Sequence, residues 1–381
     1  MLKFNGKIFN NEVFERYLKT LPSTKKNELV KNSLFTVVNK YKNKMSEQAG
    51  GYFVVEPIKG RIGGTPVNYD GKNDITSTSR DTFYQTKICY GRANAWGEDD
   101  FVTEITGENF MAEASEVKEY WEEQRQSTTL SILKGIFAMT GSNDFASKHT
   151  YEVDGNLTAD ACNRASQKAL GDSKANLNVS FMHSMVSTNL EGLNLIEFMK
   201  YTDKDGITRD LTIGTYNGKT VIVDDEMPVL DGYDASTADA SGALKVVASG
   251  ATTGQINLAD VKKADFYPAG VKADDYVVAA SKYITYMFKN GFFEFEELGV
   301  KVPSELDRKA TEKGGHTDLV SRIREMIVPM YISYKDTSKL SPDNADFEKG
   351  ANWELANNND TSNKVYVSDK LIPVVQIISR G

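Results

Sequence analysis

The feature that most constrains the fold is a regularly spaced stripe of side chains between residues 108 and 139. Its members recur at alternating steps of four and three, the spacing of one helix face: Phe110, Ala114, Val117, Trp121, Gln124 and Thr128. Glutamates dominate the first half, and the sequence turns apolar from Leu130. A helix of this length spans about 45 Å, more than the core of one small domain requires. We therefore predict a strut across an extended subunit, exposed at one end and buried at the other.

The segment from residue 51 to residue 96 has the composition of a long two-stranded arm. Residues 52–55 predict a short strand closed by Pro57, and residues 81–96 are rich in aromatic and β-branched side chains. The polar, glycine-rich tip is expected around residues 70–73. Because an isolated ribbon is marginally stable in water, we expect the arm to lie on a neighbouring subunit. A disordered surface loop is the alternative.

The first fifty residues predict two helical segments of basic character. They are separated at residues 21–24, and the second carries an apolar stripe that ends at Tyr41. Ten Lys or Arg stand against four Asp or Glu, which gives +6 here and leaves −14 for the rest of a chain of net charge −8. A solvated helical face explains this charge, and an arm that contacts neighbouring subunits or packaged nucleic acid is the sharper alternative.

The remaining sequence mixes helices and strands in uneven blocks, which predicts the α+β class. The expected elements are a helix at 158–171, a strand at 177–182, a helix at 183–199, a turn at 203–206, a buried strand at 220–223, an insertion of short surface strands at 231–275, strands and turns at 276–295, a polar helix at 317–326 and a final strand at 371–378. The sequence contains no internal repeat.

Composition bounds the class and the compartment. The 381 residues are 40% hydrophobic and 26% charged, as in ordinary soluble proteins, and leave room for two or three domains. The sequence contains no run of eighteen apolar residues, so it predicts no membrane-spanning helix, and the N-terminus lacks the apolar core of a signal peptide. The two isolated cysteines, Cys89 and Cys162, are typical of buried thiols in a reducing compartment. We therefore expect synthesis in the cytoplasm.

Residues 214–226 imitate a phosphate-binding loop followed by an acidic strand. The imitation has three residues between Gly214 and Gly218, where such a loop needs four, and a strand follows where a helix is needed. The short connection also leaves no room for the crossover of a parallel pair. A β-hairpin turn at Asn217-Gly218 explains the pattern better.

Other chemical motifs are absent from the sequence. His149, His183 and His316 are far apart and lack the spacing of a zinc site. No nucleophile elbow surrounds a serine, and Asp224-Asp225-Glu226 lacks the register of a calcium loop. We therefore expect no enzymatic activity, no metal and no cofactor.

Several local motifs, taken in order, resemble the major capsid (coat) proteins of tailed bacteriophages. They are the glycine-rich arm, 91–96 leading to Asp99-Asp100, Tyr120-Trp121, Leu130 with Leu133, Gly135 and Phe137, then 169–172, 182–184, Asn217-Gly218-Lys219 before 221–225 with Pro228, and Asn352-Trp353. Each motif is short, and their order across about residues 50–375 carries the resemblance.

The resemblance implies the capsid fold, which encapsulins share. Its parts would be an N-terminal arm at 1–50, an extended β-hairpin loop at 51–96, a peripheral domain at 97–174 plus 316–381 with the spine helix 108–139, and an axial domain at 175–315 with the insertion 231–275. Only about fifty residues precede the loop, which suggests a separate scaffolding protein rather than a long scaffolding segment within the chain.

The resemblance also implies partners and a location. The chain would assemble with itself as hexamers and pentamers into an icosahedral virion shell around double-stranded DNA, contacted non-specifically, after synthesis in the bacterial cytoplasm. A scaffolding protein, a portal and decoration proteins are the further expected partners, and no membrane is involved. We expect the inter-subunit contacts to include Arg61, Lys72, Arg80, Arg92, Tyr120 and Trp121. Lys72 is also a candidate for a covalent Lys–Asn cross-link, as some relatives form.

Two alternatives remain open at this point. An encapsulin-like compartment would use the same fold to enclose a cargo enzyme instead of DNA. A nucleotide-binding or metal-dependent enzyme would use residues 214–226, although their spacing argues against it.

Overall fold

The chain folds into two units, and each unit is formed from two segments that are separated in the sequence. A computed structural model describes residues 3–4, 7–8, 35–42, 52–69, 71–72, 74–75, 77–100, 114–202, 208–312 and 314–380. Unit 1 comprises Met1–Ala146 and Asn290–Ile372, and unit 2 comprises Ser147–Lys289 and Pro373–Gly381. Helices and strands occur in uneven blocks in both units, so the predicted α+β class is confirmed.

Unit 1 is built on a five-stranded sheet to which a separate hairpin is attached. Its strands are β1 (Lys3–Phe4), β2 (Lys7–Ile8), β3 (Phe35–Val37), β4 (Phe53–Lys59), β5 (Thr82–Ile88), β6 (Tyr90–Asp99), β16 (Phe293–Glu297), β17 (Ser304–Lys309), β18 (His316–Pro329), β19 (Ile332–Tyr334) and β20 (Trp353–Leu355). The sheet has the order β17-β18-β16-β3, and β6 pairs with β18; the other pairs are β1–β2, β4–β5 and β19–β20. The helices are α1 (Ala114–Phe137) and α6 (Asn344–Phe347), and short 3₁₀ turns occupy Ser142–Asp144, Gly350–Asn352 and Asp369–Leu371.

Unit 2 contains a ten-stranded mixed sheet. Its strands are β7 (Thr150–Glu152), β8 (Val179–Met182), β9 (Ile196–Thr202), β10 (Thr208–Tyr216), β11 (Lys219–Val223), β12 (Val229–Ser236), β13 (Ala243–Val247), β14 (Gln255–Asn257), β15 (Tyr276–Phe288) and β21 (Val374–Ser379). The helices are α2 (Phe145–His149), which begins at the end of unit 1, α3 (Ala161–Leu170), α4 (Ser184–Gly192) and α5 (Leu258–Val261), and a 3₁₀ turn follows at Gly171–Asn176. The α3 helix packs its buried alanines and Cys162 on the sheet.

The predicted strut is present as α1, which runs from Ala114 to Phe137. The predicted start at residue 108 lies outside the described residues. Its last turns are buried, as the apolar half of the sequence predicts, and Ile132, Leu133 and Ile136 are fully buried. At Gly135 the helix approaches its neighbours so closely that a Cβ would lie 1.9 Å from the Phe347 carbonyl oxygen. A glycine is required there because any side chain would push α1 away from the segment of α6.

The predicted arm is confirmed as an antiparallel hairpin, with corrections at both strands. The first strand does not close at Pro57 but continues to Lys59. The Tyr84 N–H, opposite Pro57, donates outward to the Asn357 carbonyl, so the Pro57–Tyr84 pair needs no hydrogen bond from Pro57. The second predicted strand, 81–96, divides at Cys89, because β6 leaves the hairpin and pairs with β18 over ten residues.

Residues 317–326, predicted as a polar helix, instead form part of β18. The charged side chains that suggested a helix surface are paired across strands. Arg322 bonds Glu305 on β17 at 2.9 Å, and Asp318 bonds Lys309 on β17 at 3.0 Å. Leu319, which lies between them, is fully buried. The charges therefore mark one face of a strand with period two, not a helix face.

The predicted helix 183–199 is shorter than expected. It ends at Gly192, and Asn194 adopts a left-handed backbone with φ of 54°. The chain then enters β9 at Ile196, which pairs with β10. Asn, which tolerates this conformation, is the signal that sequence reasoning passed over.

The second predicted N-terminal helix is also corrected where it is described. Phe35–Val37 is a strand paired in parallel with Phe293–Phe295, and the Phe35 ring lies 5.9 Å from that of Phe293. Residues 3–4 and 7–8 form a small strand pair. Residues 38–42 of the second predicted helix are also described, with Tyr41 fully buried. The remaining parts of the two predicted helices, and the turn at 203–206, fall outside the described residues.

The two units divide the chain at other points than the predicted peripheral and axial domains. Residues 290–315 group with unit 1 because β16 and β17 pair with β18. Residues 147–174 group with unit 2 because β7 pairs with β21 and α3 covers the same sheet. Residues 231–275 supply β12, β13 and β14, in keeping with an insertion of short strands.

Candidate assembly surfaces

The loop that joins β4 to β5, residues 60–81, carries three of the predicted contact residues on its surface. We call this narrower segment the hairpin loop. Arg61, Lys72 and Arg80 are all exposed. The loop is closed at its base by a hydrogen bond of 2.8 Å from the Gly60 N–H to the Asp81 carbonyl. A Cβ on Gly60 would lie 2.7 Å from that oxygen, so the tight base requires glycine. The three cations therefore lie on a segment that is closed at its base by this bond and crossed by a hydrogen bond of 3.2 Å from the Thr78 hydroxyl to the Gly63 carbonyl.

The same loop exposes large apolar side chains that its cationic residues do not cover. Ile62 and Ile75 are each 70% exposed, Tyr69 is 86% exposed and Val67 is 54% exposed. Single exposed apolar residues are common on protein surfaces, but several on one loop mark an interaction surface. The loop therefore offers apolar area together with positive charge to another molecule.

Arg92 lies apart from the loop, on β6. Its guanidinium stacks 4.9 Å from the Tyr90 ring centroid and donates to the Asn344 side chain at 3.2 Å. Burial lowers the pKa of Arg92 from its usual value. Its visible contacts are thus within unit 1, between the sheet and α6.

Tyr120 and Trp121 are the two predicted residues that the structure brings together, on α1. Their rings meet edge to face with centroids 5.1 Å apart, and both also contact Trp96 on β6. Trp121 is only 7% exposed and donates its Nε1–H to the Ser321 hydroxyl at 2.9 Å. Within the subunit, Trp121 therefore fixes α1 to the sheet, and half-buried Tyr120 retains more surface for a neighbour.

A buried ionic cluster at the base of the hairpin was missed by sequence reasoning. We call Lys87, Glu56, Glu294 and Tyr41 the hairpin joint. The Lys87 Nζ lies 2.6 Å from Glu56 Oε2, 2.8 Å from Glu294 Oε2 and 2.5 Å from the Tyr41 hydroxyl. Lys87 is 3% exposed, so this ammonium is almost fully removed from water. No signal in the sequence identifies the cluster, because its members come from four distant positions.

The protonation states of the joint follow from its contacts. Burial acts to raise the pKa of Glu56 and of Glu294, but hydrogen bonds from Lys87 and Tyr41 outweigh it, and both pKa values lie below the usual one. Burial, followed by these carboxylates, raises the pKa of Tyr41. The joint therefore contains two carboxylates, one ammonium and a neutral phenol, with Lys40 adding a second cation 3.2 Å from Glu294.

Glu296 anchors the chain segment that delivers Tyr41 to the joint. Its buried carboxylate accepts backbone N–H groups from Lys40, Tyr41 and Lys42, at 2.7 Å from the last. Tyr41 itself is fully buried and packs with Val54 of the hairpin in one apolar cluster. The position of the phenol is thus set from both its backbone and its ring.

A second buried ion pair joins α1 to the sheet of unit 1. Arg125 pairs with Glu325, which is fully buried and also accepts from the Tyr90 hydroxyl at 3.2 Å. Burial opposes the charge on Arg125, but the Glu325 carboxylate outweighs it and raises the pKa of Arg125. Removing either partner would leave a buried charge without its counter-ion.

His316 lies between two carboxylates at the ends of β6 and β18. Its Nδ1 is 2.5 Å from Asp99 and its Nε2 is 3.0 Å from Asp318. Only the protonated imidazolium donates from both nitrogens, so the geometry favours the charged form. The hydrogen bond to Asp99, ahead of that to Asp318, raises the pKa of His316. Arg308 pairs with Asp100 beside it.

The structure also decides the form of residues 214–226. Strands β10 and β11 are antiparallel, and Asn217 and Gly218 form a two-residue turn with φ of 51° and 72°. The predicted hairpin is therefore confirmed.

Among the described residues, no group of three or more His, Cys, Asp or Glu is arranged to hold a metal ion. No helix of the described residues is long and apolar enough to cross a membrane.

One known relative has a sequence similar over most of both chains. The major capsid protein of Bacillus phage SPP1 is 26% identical over 308 residues, which cover 77% of this chain and 79% of that protein. The resemblance to major capsid proteins predicted from the sequence is thereby confirmed. A comparison with models of known protein families gives no match.

Solved structures with similar chains come from phage particles. The cyanophage Pam1 capsid asymmetric unit aligns with a TM-score of 0.49 and 12% identity over 91% of this chain and 88% of that one. The acid-stable capsid of Helicobacter pylori bacteriophage KHP30 aligns with a TM-score of 0.49 and 11% identity over 100% of both chains. The sequence similarity is the stronger of these findings, because both superpositions have TM-scores below 0.5.

Proposed function

We propose that this chain is the major capsid protein of a tailed phage and assembles as hexamers and pentamers into an icosahedral shell around double-stranded DNA. The observation that carries the proposal is the similarity to the phage SPP1 major capsid protein across more than three quarters of each chain. A shell protein acts by binding copies of itself, and no catalytic step is assigned to it.

The hairpin loop supports this proposal. Its exposed side chains Ile62, Tyr69 and Ile75 gain burial only against another molecule. In a shell that molecule is a second copy of the chain, which also meets Arg61, Lys72 and Arg80. Repeated contacts of this heterologous kind close into rings when their rotation permits. We assign Tyr120 and Arg92 to the same class of contact, with Trp121 supporting Tyr120 from beneath.

The further partners follow from the same proposal. A separate scaffolding protein, a portal and decoration proteins would bind the shell, and the packaged DNA would be contacted non-specifically through the basic first fifty residues. The location is the virion capsid, after assembly in the bacterial cytoplasm. Lys72 remains a proposed cross-linking residue, and mass spectrometry of denatured shells that gave only monomers would remove that role.

Electron microscopy tests the proposal directly. The chain is expressed alone and with its neighbouring genes, and we expect closed uniform shells or flat hexameric sheets. A variant in which residues 61–80 are replaced by Asn-Gly keeps both hairpin strands, and we expect it to be folded by circular dichroism yet unable to close shells. A wild-type chain that stays monomeric under all conditions, or normal shells from the deletion, would contradict the proposal.

A further inference from the structure

The hairpin joint saturates the donors of one buried ammonium. Lys87 has three N–H donors and three acceptors within 2.8 Å, namely Glu56, Glu294 and the Tyr41 hydroxyl. The Tyr41 hydroxyl in turn lies 2.8 Å from Glu56 and 3.0 Å from Glu294. Each contact therefore fixes a direction as well as a distance, since a saturated ammonium cannot turn without losing a bond.

Three separate parts of unit 1 meet in the joint. Lys87 and Glu56 come from the two strands of the hairpin, Glu294 comes from β16 of the five-stranded sheet, and Tyr41 comes from the segment that follows β3. The Gln85 side chain, on the same face of β5 as Lys87, also holds this strand by donating to two main-chain carbonyls, and the Tyr84–Asn357 bridge holds its other edge. The joint adds polar links from both hairpin strands to the sheet.

Buried ion pairs are poor stabilisers but effective specifiers. Removing two charges from water costs free energy that their attraction only partly offsets, and apolar replacements of similar volume are often equally stable. The best-attested role of such groups is to select one arrangement among several. At this position the arrangement is the direction of the two strands that carry the hairpin loop, residues 60–81.

We propose that the hairpin joint fixes the direction in which the hairpin leaves unit 1, and so specifies the geometry at which a second copy of the chain docks on the hairpin loop. Lys87 is the positioning residue of this contact, although it touches no neighbour itself. The first clause, on the direction of the hairpin, does not depend on the proposed function. The second clause, on the docking geometry of another copy, rests on it. A small change of angle at the base becomes a large displacement at the loop, where the docking residues lie.

Pulsed electron paramagnetic resonance on the unassembled subunit tests the first clause. Spin labels at Ser79→Cys, in the loop, and Asp307→Cys, on β17, report the distance between the loop and the sheet; both positions are exposed, and the native thiols are buried. In the test variant the four joint residues become apolar: Lys87→Met, Glu56→Leu, Glu294→Leu and Tyr41→Phe. We expect at least a doubling of the width of the distance distribution, with little change in Tm.

The matched control removes the buried Arg125–Glu325 ion pair of unit 1, with Arg125→Met and Glu325→Leu. That pair joins α1 to the sheet, and its further contacts in the described residues are Tyr90 on β6 and Phe295 on β16, so we expect the distribution to keep its wild-type width. Unchanged width in the joint variant, or equal broadening in the control, would overturn the inference. If the fourfold variant fails to fold, Glu56→Gln decides the question, because it keeps the shape and removes one charge.

Particle size tests the second clause. We expect the joint variant to assemble into shells and sheets of mixed curvature, measured as a broader distribution of diameters by electron microscopy, while the control gives uniform particles. Uniform shells from the joint variant would overturn the clause. A wild type that never assembles would instead remove the proposed function and leave the result of the spin-label measurement standing.

Discussion

The core of unit 2 and the hairpin loop of unit 1 treat apolar side chains in opposite ways. In unit 2 the buried face of α3 and Leu190 of α4 form a cluster that is closed by residues of the same unit. In the loop, Ile62 and Ile75 are each 70% exposed. The apolar side chains of one region are buried within the chain, and those of the other would be buried on association under the proposed function.

The difference separates two kinds of mutational effect. A change in the core of unit 2 alters the free energy of unfolding of the subunit. Under the proposed function, a change in the loop alters the free energy of association, because burying one large apolar side chain contributes roughly 1.5–3 kcal/mol. A subunit that obeys this division can be weakened in one respect and left intact in the other.

Leu190→Ala, in the core of unit 2, should give the largest loss in free energy of unfolding among the variants compared. Leu190 is fully buried, so its truncation should lower the free energy of unfolding by about 2–5 kcal/mol through lost transfer free energy and the cavity left behind. Urea denaturation measures this. The control is Leu193→Ala, three residues later and 57% exposed, which should stay within about 0.5 kcal/mol of wild type. Equal effects at the two positions would break the distinction.

Two glycines extend the contrast to backbone packing. A Cβ on Gly232, in β12, would lie 2.2 Å from the Phe266 carbonyl oxygen, whereas one on Gly63 in the loop meets nothing within 4 Å. Gly232→Ala should therefore lower the free energy of unfolding by about 1–3 kcal/mol. Gly63→Ala should change it by less than about 0.5 kcal/mol. Thermal unfolding of both variants gives the comparison, and a large loss at Gly63 would contradict it.

The double variant Ile62→Ser, Ile75→Ser probes the loop alone. The free energy of unfolding should change by less than about 0.5 kcal/mol, since both side chains are exposed. The protein concentration needed for assembly should rise by at least about tenfold, as expected when more than about 1.4 kcal/mol of association free energy is lost. Light scattering against concentration measures the threshold. An unchanged threshold would show that the loop does not carry the contact.

His316→Gln should act through pH. The folded pKa of His316 is raised above its unfolded value by Asp99 and Asp318, so its contribution is fully present below the unfolded pKa and is lost as pH rises through the folded pKa. In wild type, the free energy of unfolding should therefore decrease over this window more steeply than in the variant. Urea denaturation between about pH 6 and about pH 9, a range that begins near the usual histidine pKa and extends above it, reports the slope.

His183→Asn is the control for that measurement. His183 caps α4 by accepting the Met185 N–H at 3.1 Å, and Asn can accept the same bond. We expect the pH dependence of the control to follow wild type. A slope in His183→Asn as shallow as that in His316→Gln would contradict the assignment of the effect to His316.

The sequence predicted those elements whose signal is local. The stripe along α1, the Asn217-Gly218 turn and the helix that ends at Gly171 each follow from spacing or from a residue with a special backbone preference. The helix predicted at 317–326 was wrong because its charges pair with residues on β17, which the periodicity of one segment does not reveal. The single strand predicted at 81–96 was wrong because the chain changes partner at Cys89 to pair with β18, a segment distant in sequence.

The candidate surfaces show the same limit. Lys72 could be placed at a loop tip from composition alone, and Arg61 and Arg80 on the same arm. The hairpin joint could not be found, because Lys87 and Glu294 are 207 residues apart and both look like ordinary surface charges in the sequence. Their burial is a property of the assembled sheet and hairpin together.

Each unit is formed from two segments separated in the sequence, and this also governs when each unit can fold during synthesis. Unit 1 needs β16 and β18, which the ribosome makes only after the whole of residues 147–289. Unit 2 in turn needs β21, which pairs with both β15 and β7 and is made after residues 290–372. Neither unit can close on a nascent chain while it is still early in translation, and contacts so distant in sequence form slowly. A fragment released early would therefore lack both finished units, and with them the contacts that hold the hairpin against the sheet of unit 1.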